Sequence, residues 1–209
     1  MSRCVILSAG PVANSLELAA LLRPDDYILA ADGGWRLAQK MGVIPSAVIA
    51  DFDSLSGTPI PAGVEVVRLP VQKDVTDTAA AAEYAYEAGY RDFLMLGCTG
   101  GRLDHQHAAI LTMVDLVRRG ARAMLADECN RITAADCSPY FVEPMEGWSL
   151  SLFAFDGDVE GLTLQGMAYP LTNYTLTPAD PLCVSNACTS VGGKIEFRTG
   201  ALLIYRSKD

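Results

Sequence analysis

The strongest constraint on this chain is an alternation. Over residues 1 to about 127, short apolar runs take turns with stretches patterned for helix. Residues 4–7, 27–31, 47–50, 64–69, 93–96 and 121–126 read as strands. Between them, a helix capped by Asn14 or Ser15 is expected to reach residue 22, and Asp32-Gly33-Gly34 opens a second that ends at Gly42. The Ala-rich stretch 78–88 is a third helix, stopped by Gly89, and 105–119 is a fourth, stopped by Gly120. Repeated strand-helix units are satisfied by a mostly parallel sheet with helices on both faces, an α/β fold.

Near residue 130 the helix patterns vanish. Short runs at 149–153, 162–164, 182–184, 194–197 and 201–205 alternate with Gly, Pro, Asn and Asp, the pattern of a small antiparallel β domain. The expected organisation is therefore two domains, 1–128 and 129–209. The second is small enough to fold only marginally alone.

Charge narrows the partners. A formal net charge of -9 argues against nucleic acid or an anionic membrane, either of which needs a basic face. A nucleotide remains compatible, because divalent cations can carry its phosphates. The six cysteines form no CxxC pair and the two histidines stand at 105 and 107, so a zinc site is not supported and buried thiols are the simplest reading. No signal-peptide pattern precedes the first strand, and the apolar runs are far shorter than the roughly 20 residues of a membrane span. A reduced cytoplasm is the expected compartment.

Three acidic motifs sit at the ends of apolar runs, where ligands bind in open α/β sheets. In Asp51-Phe52-Asp53-Ser54, two carboxylates two residues apart point the same way if strand geometry persists, and can share a Mg²⁺; the alternative is a loop with an Asx-turn at Asp53 or Ser54. In Lys73-Asp74-Val75-Thr76-Asp77, the two aspartates lie i, i+3 at a helix start. Asp74 is then either an N-cap, with Asp77 complementing the macrodipole, or both are metal ligands. Lys73 is a phosphate partner or a solvent-facing lysine. In Gly100-Gly101-Arg102-Leu103-Asp104-His105, the glycines let backbone N–H groups approach an anion, and Arg102 can take phosphate oxygens bidentately. Asp104 caps the helix, reaches a metal, or meets a substrate hydroxyl. His105 and His107 are surface residues or, less simply, a catalytic base.

Weaker signals support these. Asp32-Gly33-Gly34 suits close approach of a nucleotide at a helix N-terminus, or is an ordinary tight turn. Ser185-Asn186 offers hydrogen-bonding groups to a small ligand, or is a β-turn. Trp148 and the tyrosines of the second half can stack on an aromatic ring, or pack in the core. GxGxxG and GxxxxGK[ST] are both absent from the sequence.

In order and spacing, Asp32-Gly33-Gly34, Asp51-Phe52-Asp53-Ser54, Gln72 to Asp77, Gly97 to His105 and Ser185-Asn186 together resemble the thiamine pyrophosphokinase family over essentially the whole chain. Two departures are Ala50, where a glycine commonly stands, and a loose match over residues 164–171. The resemblance implies an N-terminal α/β domain that binds ATP and Mg²⁺, a C-terminal β-sandwich that binds thiamine, and a homodimer. It implies transfer of diphosphate from ATP to the hydroxyl of thiamine, giving thiamine diphosphate and AMP. Asp51, Asp53, Asp74 and Asp77 would hold Mg²⁺. Asp53, Asp77, Arg102 and Asp104 would serve catalysis. Asp32, Gly33, Gly34, Lys73, Gly100, Gly101, Arg102, Ser185 and Asn186 would bind the substrates. The alternatives are a diphosphokinase with another acceptor such as a hydroxymethyl pterin, a nucleotide or thiamine sensor without turnover, and a phosphohydrolase using water.

Overall fold

A computed structural model describes residues 2–50, 63–68 and 75–209. The positions of Asp51, Asp53, Ser54, Lys73 and Asp74 lie outside the described residues. The chain divides into two units, Met1–Glu128 and Cys129–Asp209.

Among the described residues of the first unit, six strands run β1 (Cys4–Leu7), β2 (Tyr27–Ala31), β3 (Ala47–Ala50), β4 (Glu65–Arg68), β5 (Asp92–Leu96) and β6 (Arg122–Ala126). Their spatial order is β4-β3-β2-β1-β5-β6, and every adjacent pair is parallel. Among the described residues, four helices lie between them: α1 (Ser15–Ala19), α2 (Gly34–Met41), α3 (Asp77–Glu87) and α4 (Leu103–Arg118). Burial of both faces explains why β1 and β3 read as unbroken apolar runs. Val5, Leu7, Leu94 and Leu96 join Leu18, Trp35, Leu37 and Met41 in one core, under α1 and α2. The alternate residues Cys4, Ile6, Phe93 and Met95 are equally buried and face the other side. There α3 packs on β1, β2 and α4, and its buried alanines (Ala80, Ala81, Ala82, Ala85) permit close approach.

The strand order reverses between β1 and β5. The chain steps outward through β2, β3 and β4, then returns through α3 to place β5 on the other side of β1. A reversal of this kind leaves a crevice outside the carboxyl ends of the two central strands.

Helix boundaries differ from the sequence expectation at three places. α1 stops at Ala19 and continues only as single turns, Leu21 N–H to Leu18 O and Leu22 N–H to Ala19 O. α3 is capped by Thr76, whose Oγ1 accepts from Ala79 N–H at 3.2 Å, so the cap role offered to Asp74 falls to Thr76. α4 begins at Leu103, which puts Asp104 inside the first turn and excludes it as the cap.

The second unit is antiparallel throughout. Its strands are β7 (Asn130–Ala135), β8 (Tyr140–Val142), β9 (Ser149–Gln165), β10 (Leu171–Leu176), β11 (Gly193–Glu196) and β12 (Thr199–Ser207). β9 serves two ladders. Its first half pairs with β12, which pairs in turn with β7. Its second half pairs with β10 and β11, and β11 with β8. Between the halves, Asp156 and Gly157 both have positive φ and the register with β12 shifts. Leu150, Leu152 and Ala154 from the first half share one core with Leu162 and Leu164 from the second, together with Leu176, Ile195, Leu202 and Ile204. This is a β-sandwich folded from a shared strand. Leu182, Cys183 and Val184, expected as a strand, form a turn instead. Asp180 Oδ1 accepts from Leu182 N–H, and Val184 N–H bonds Pro181 O, so local bonds replace a ladder.

Candidate active site

The crevice at the strand reversal is a cleft of about 310 Å³. Three carboxyl-end loops wall it: Ser8 to Pro11 after β1, Ala31 and Asp32 at the end of β2, and Gly97 to Arg102 after β5. Thr76, Asp77 and Thr78 at the start of α3 and His105 on α4 complete the lining.

Glycine makes this geometry possible at two positions. Gly10 N–H donates to Gly97 O at 2.7 Å, and a Cβ on Gly10 would stand 2.4 Å from that oxygen. Gly97 has φ +68, and its Cβ would meet Ser8 O at 2.5 Å. The β1 and β5 loops are thus in direct backbone contact, with no room for side chains between them. Thr99 Oγ1 donates to Asp127 Oδ2 at 2.7 Å and ties the β5 loop to the end of β6.

Asp32 lines the cleft in a left-handed conformation, φ +44, with its N–H on Ile49 O at 2.7 Å. Gly33 and Gly34 do different work. A Cβ on Gly34 would lie 1.9 Å from Leu7 O, and one on Gly33 2.9 Å from Ala9 Cβ, so both glycines seat α2 against β1 and its loop. Gly100, with φ +77, turns the chain back over Pro11, and Gly101 follows at the cleft wall.

Arg102 and Asp104 form a bidentate ion pair, Nε to Oδ1 at 3.1 Å and Nη2 to Oδ2 at 2.6 Å, with both side chains exposed. Asp104 Oδ1 also accepts from His105 N–H at 3.0 Å. The Arg102 hydrogen bonds, more than any other influence, draw the Asp104 carboxyl down to about 2. A depressed folded value means that the pair persists above the ordinary carboxylate range and opens only as pH falls through about 2. The carboxyl carbon of Asp104, followed by NMR, should titrate near that value, and Arg102→Gln should return it to roughly 3.9, the usual aspartate figure. An unchanged midpoint in the variant would show that Arg102 is not the cause.

Asp77 is the first residue of α3, exposed at the cleft. Among the described residues no group of three His, Cys, Asp or Glu converges to hold a metal by itself. Of the five carboxylates singled out in the acidic motifs, Asp77 lies in the lining and Asp104 beside it on the first turn of α4. His105 also lines the cleft, while His107 is exposed on α4.

Ser185 and Asn186 belong to the second unit. Ser185 has φ +59, and its N–H donates to Ser151 Oγ at 3.0 Å. Asn186 is 5% exposed and its side chain is fully engaged. Its Oδ1 accepts from Tyr169 N–H at 3.0 Å and Ala187 N–H at 2.9 Å, and its Nδ2 donates to Tyr169 O at 2.8 Å. The amide holds the Tyr169 segment in place, leaving the Tyr169 ring exposed. Trp148 is half-buried with Arg131 and Lys208 over its ring.

Ser8 to Pro11 carries no charged residue or motif that marks it in the sequence as part of a site. Its position beside the reversal follows from strand order, which a single sequence does not display. Its small residues, Ser-Ala-Gly-Pro, were the available signal.

Residues 18–125 match the family model described as thiamin pyrophosphokinase, catalytic domain. Residues 141–202 match that described as thiamin pyrophosphokinase, vitamin B1 binding domain. A thiamine pyrophosphokinase of Bacillus subtilis (strain 168) is 29% identical over 209 residues, 98% of this chain and 98% of that protein. The crystal structure of a thiamine pyrophosphokinase from B. subtilis superimposes with a TM-score of 0.89 at 28% identity, covering 100% of both chains. One from Geobacillus thermodenitrificans does so with a TM-score of 0.85 at 26% identity, covering 100% of this chain and 98% of that one.

Proposed function

The chain belongs to the thiamin pyrophosphokinase family, and on that premise we propose that it transfers a diphosphate group from ATP to the hydroxyl of thiamine, giving thiamine diphosphate and AMP. The observation that carries this reading is a glycine-lined cleft at the strand reversal, most of whose lining falls in the stretch matched as the catalytic domain.

The cleft suits a triphosphate tail. Gly10, Gly97 and Gly101 let backbone groups approach the ligand, the capped N-terminus of α3 points at it, and Arg102 stands at its edge. The ionic donors of the lining are carboxylate oxygens, which suit a hard divalent cation rather than a thiophilic one. Asp51, Asp53, Asp74 and Asp77 would hold Mg²⁺, directly or through its waters. Bound there, the cation would supply charge neutralisation of the phosphates and would fix their orientation.

The thiamine hydroxyl oxygen attacks the β-phosphorus, the bond from that phosphorus to the bridging oxygen of the α-phosphate breaks, AMP leaves with that oxygen, and the hydroxyl proton passes to a phosphate oxygen and on to solvent. A loose phosphoryl transition state asks little of a base. Asp104, held near 2 by Arg102, is poorly suited to take the hydroxyl proton, and its role is to hold the guanidinium at the cleft edge. Arg102 meets charge on the transferred phosphates. Lys73 is a further phosphate partner. Asp32, Gly33 and Gly34 place the β2 end against the nucleotide, and Gly100 and Gly101 bring the β5 loop to it.

The second unit takes thiamine, with Ser185 presenting polar groups and Asn186 shaping the neighbouring Tyr169 segment. The assembly is a homodimer, in keeping with the exposed Phe141, Tyr169 and Val191 of the second unit. The compartment is cytoplasmic, in keeping with six cysteines outside any disulfide.

Incubation with ATP, Mg²⁺ and thiamine, following AMP and thiamine diphosphate together, tests this reading. Equal production of both is expected. AMP formation only with a hydroxymethyl pterin would reassign the acceptor. Nucleotide consumption that ignores thiamine would indicate a phosphohydrolase, and binding without AMP a sensor.

A further inference from the structure

Beneath the cleft floor lies a short relay of hydroxyl and thiol groups outside the acidic motifs. Ser8 Oγ, on a residue only 5% exposed, is 2.8 Å from Thr78 Oγ1. Cys98 Sγ, on a residue 8% exposed, donates to Ser8 Oγ at 3.4 Å, with Leu96 O a more distant acceptor at 3.7 Å. The three residues come from the β1 loop, the second position of α3 and the β5 loop, and all three line the cleft.

One of the two directions this relay can take leaves a hydrogen for the cleft. Two hydroxyls sharing one bond have two hydrogens, so the second must find another acceptor. Burial keeps the Cys98 thiol protonated, pushing it up to about 11, so it has a hydrogen to give. With Ser8 Oγ accepting from Cys98, the Ser8 hydrogen has Thr78 Oγ1 in front of it. Thr78 then accepts, and its own hydrogen has no acceptor among the described residues. Thr78 is partly exposed, in the cleft, on the first turn of a capped helix. What completes it is an oxygen acceptor brought by a ligand, and a negatively charged one gains from the helix terminus as well.

Resting on the phosphate-binding reading of this cleft, we infer that Thr78 is a nucleotide-binding residue that donates its hydroxyl hydrogen to a phosphate oxygen of ATP. Ser8 is the positioning residue that orients that hydroxyl, and Cys98 sets the direction of the relay. Thiamine recognition is untouched by this bond, so its loss falls on the nucleotide alone.

The test is binding of the α,β-methylene analogue of ATP, which lacks the cleavable bridging oxygen, measured calorimetrically in Mg²⁺ buffer. Steady-state KM values for ATP and thiamine are measured alongside. Thr78→Val keeps the shape and removes the hydroxyl; it should weaken analogue binding and raise the ATP KM by about tenfold, the usual loss for a hydrogen bond to a charged acceptor. The thiamine KM should stay at the wild-type value. Thr78→Ser, which keeps the hydroxyl, should restore binding to within about threefold, since only the methyl is lost. Ser8→Ala, which leaves Thr78 free to rotate, should give an intermediate loss. Wild-type affinity in Thr78→Val would overturn the inference, and so would equal losses in the Val and Ser variants, which would mark a packing role. Because the binding arm needs no turnover, a wild-type protein that binds the analogue but makes no thiamine diphosphate would refute the proposed reaction while leaving the Thr78 assignment standing.

Discussion

Asp77→Asn is expected to retain its fold and lose kcat by about two to three orders of magnitude, the range seen when a group that stabilises transition-state charge is removed. The two effects separate because α3 does not depend on Asp77 for its start. Thr76 Oγ1 caps the helix, so the substitution forfeits mainly the macrodipole term of roughly 0.3–1 kcal/mol. The carboxylate itself faces the cleft, where a metal-bound charge is worth several kcal/mol in the transition state. Asp53→Asn should behave alike. Thermal melting should move by a few degrees at most, while kcat at saturating ATP and thiamine falls. Wild-type turnover by either variant at limiting Mg²⁺ would remove the metal role assigned to it.

Gly97→Ala should be among the most destabilising single-methyl changes in the first unit, at about 3 kcal/mol. Two penalties coincide at this position. The left-handed backbone, φ +68, disfavours a side chain by roughly 1–2 kcal/mol. The added methyl would also lie 2.5 Å from Ser8 O and 2.8 Å from Leu37 Cδ2, an overpacking that costs about 1–3 kcal/mol. For a unit of this size the midpoint should fall by about 10 °C. Gly42→Ala is the control. It shares the left-handed conformation, φ +69, but nothing lies within 4 Å of its Cβ, so only the backbone penalty applies. Equal midpoints for the two variants would show that the β1 and β5 loops separate readily, and the close contact described for them would be wrong.

Much of the fold was legible because local signals agreed with one another. Glycines at 42, 89 and 120 follow α2, α3 and α4, and apolar runs buried on both faces announced a parallel sheet. What failed was local competition. The sequence offers Asp74 as the cap of α3, and Thr76, two residues on, is the cap. Leu182 to Val184 carry β-branched and apolar character, yet the Asp180 carboxylate and Pro181 carbonyl capture their N–H groups in a turn. Gly33 and Gly34 read as room for a nucleotide, a reading that does not display their second constraint, that a Cβ on either would meet β1 or its loop. The site was legible only in its charged part. Arg102, Asp77 and Asp104 stand out by type, whereas Ser8, Thr78 and Cys98 are ordinary residues that matter only once β1 and β5 are neighbours.

One strand has consequences for how the second unit comes apart. β9 spends its first half in one ladder and its second half in another, so neither layer can shed its central member without opening the other. Amide hydrogens along both arms of Ser149–Gln165 should therefore exchange through a common opening event rather than in two separate ones. A cut or an inserted residue at the Asp156-Gly157 bend would uncouple the layers, making that dipeptide the hinge on which the cooperativity of the whole β half turns.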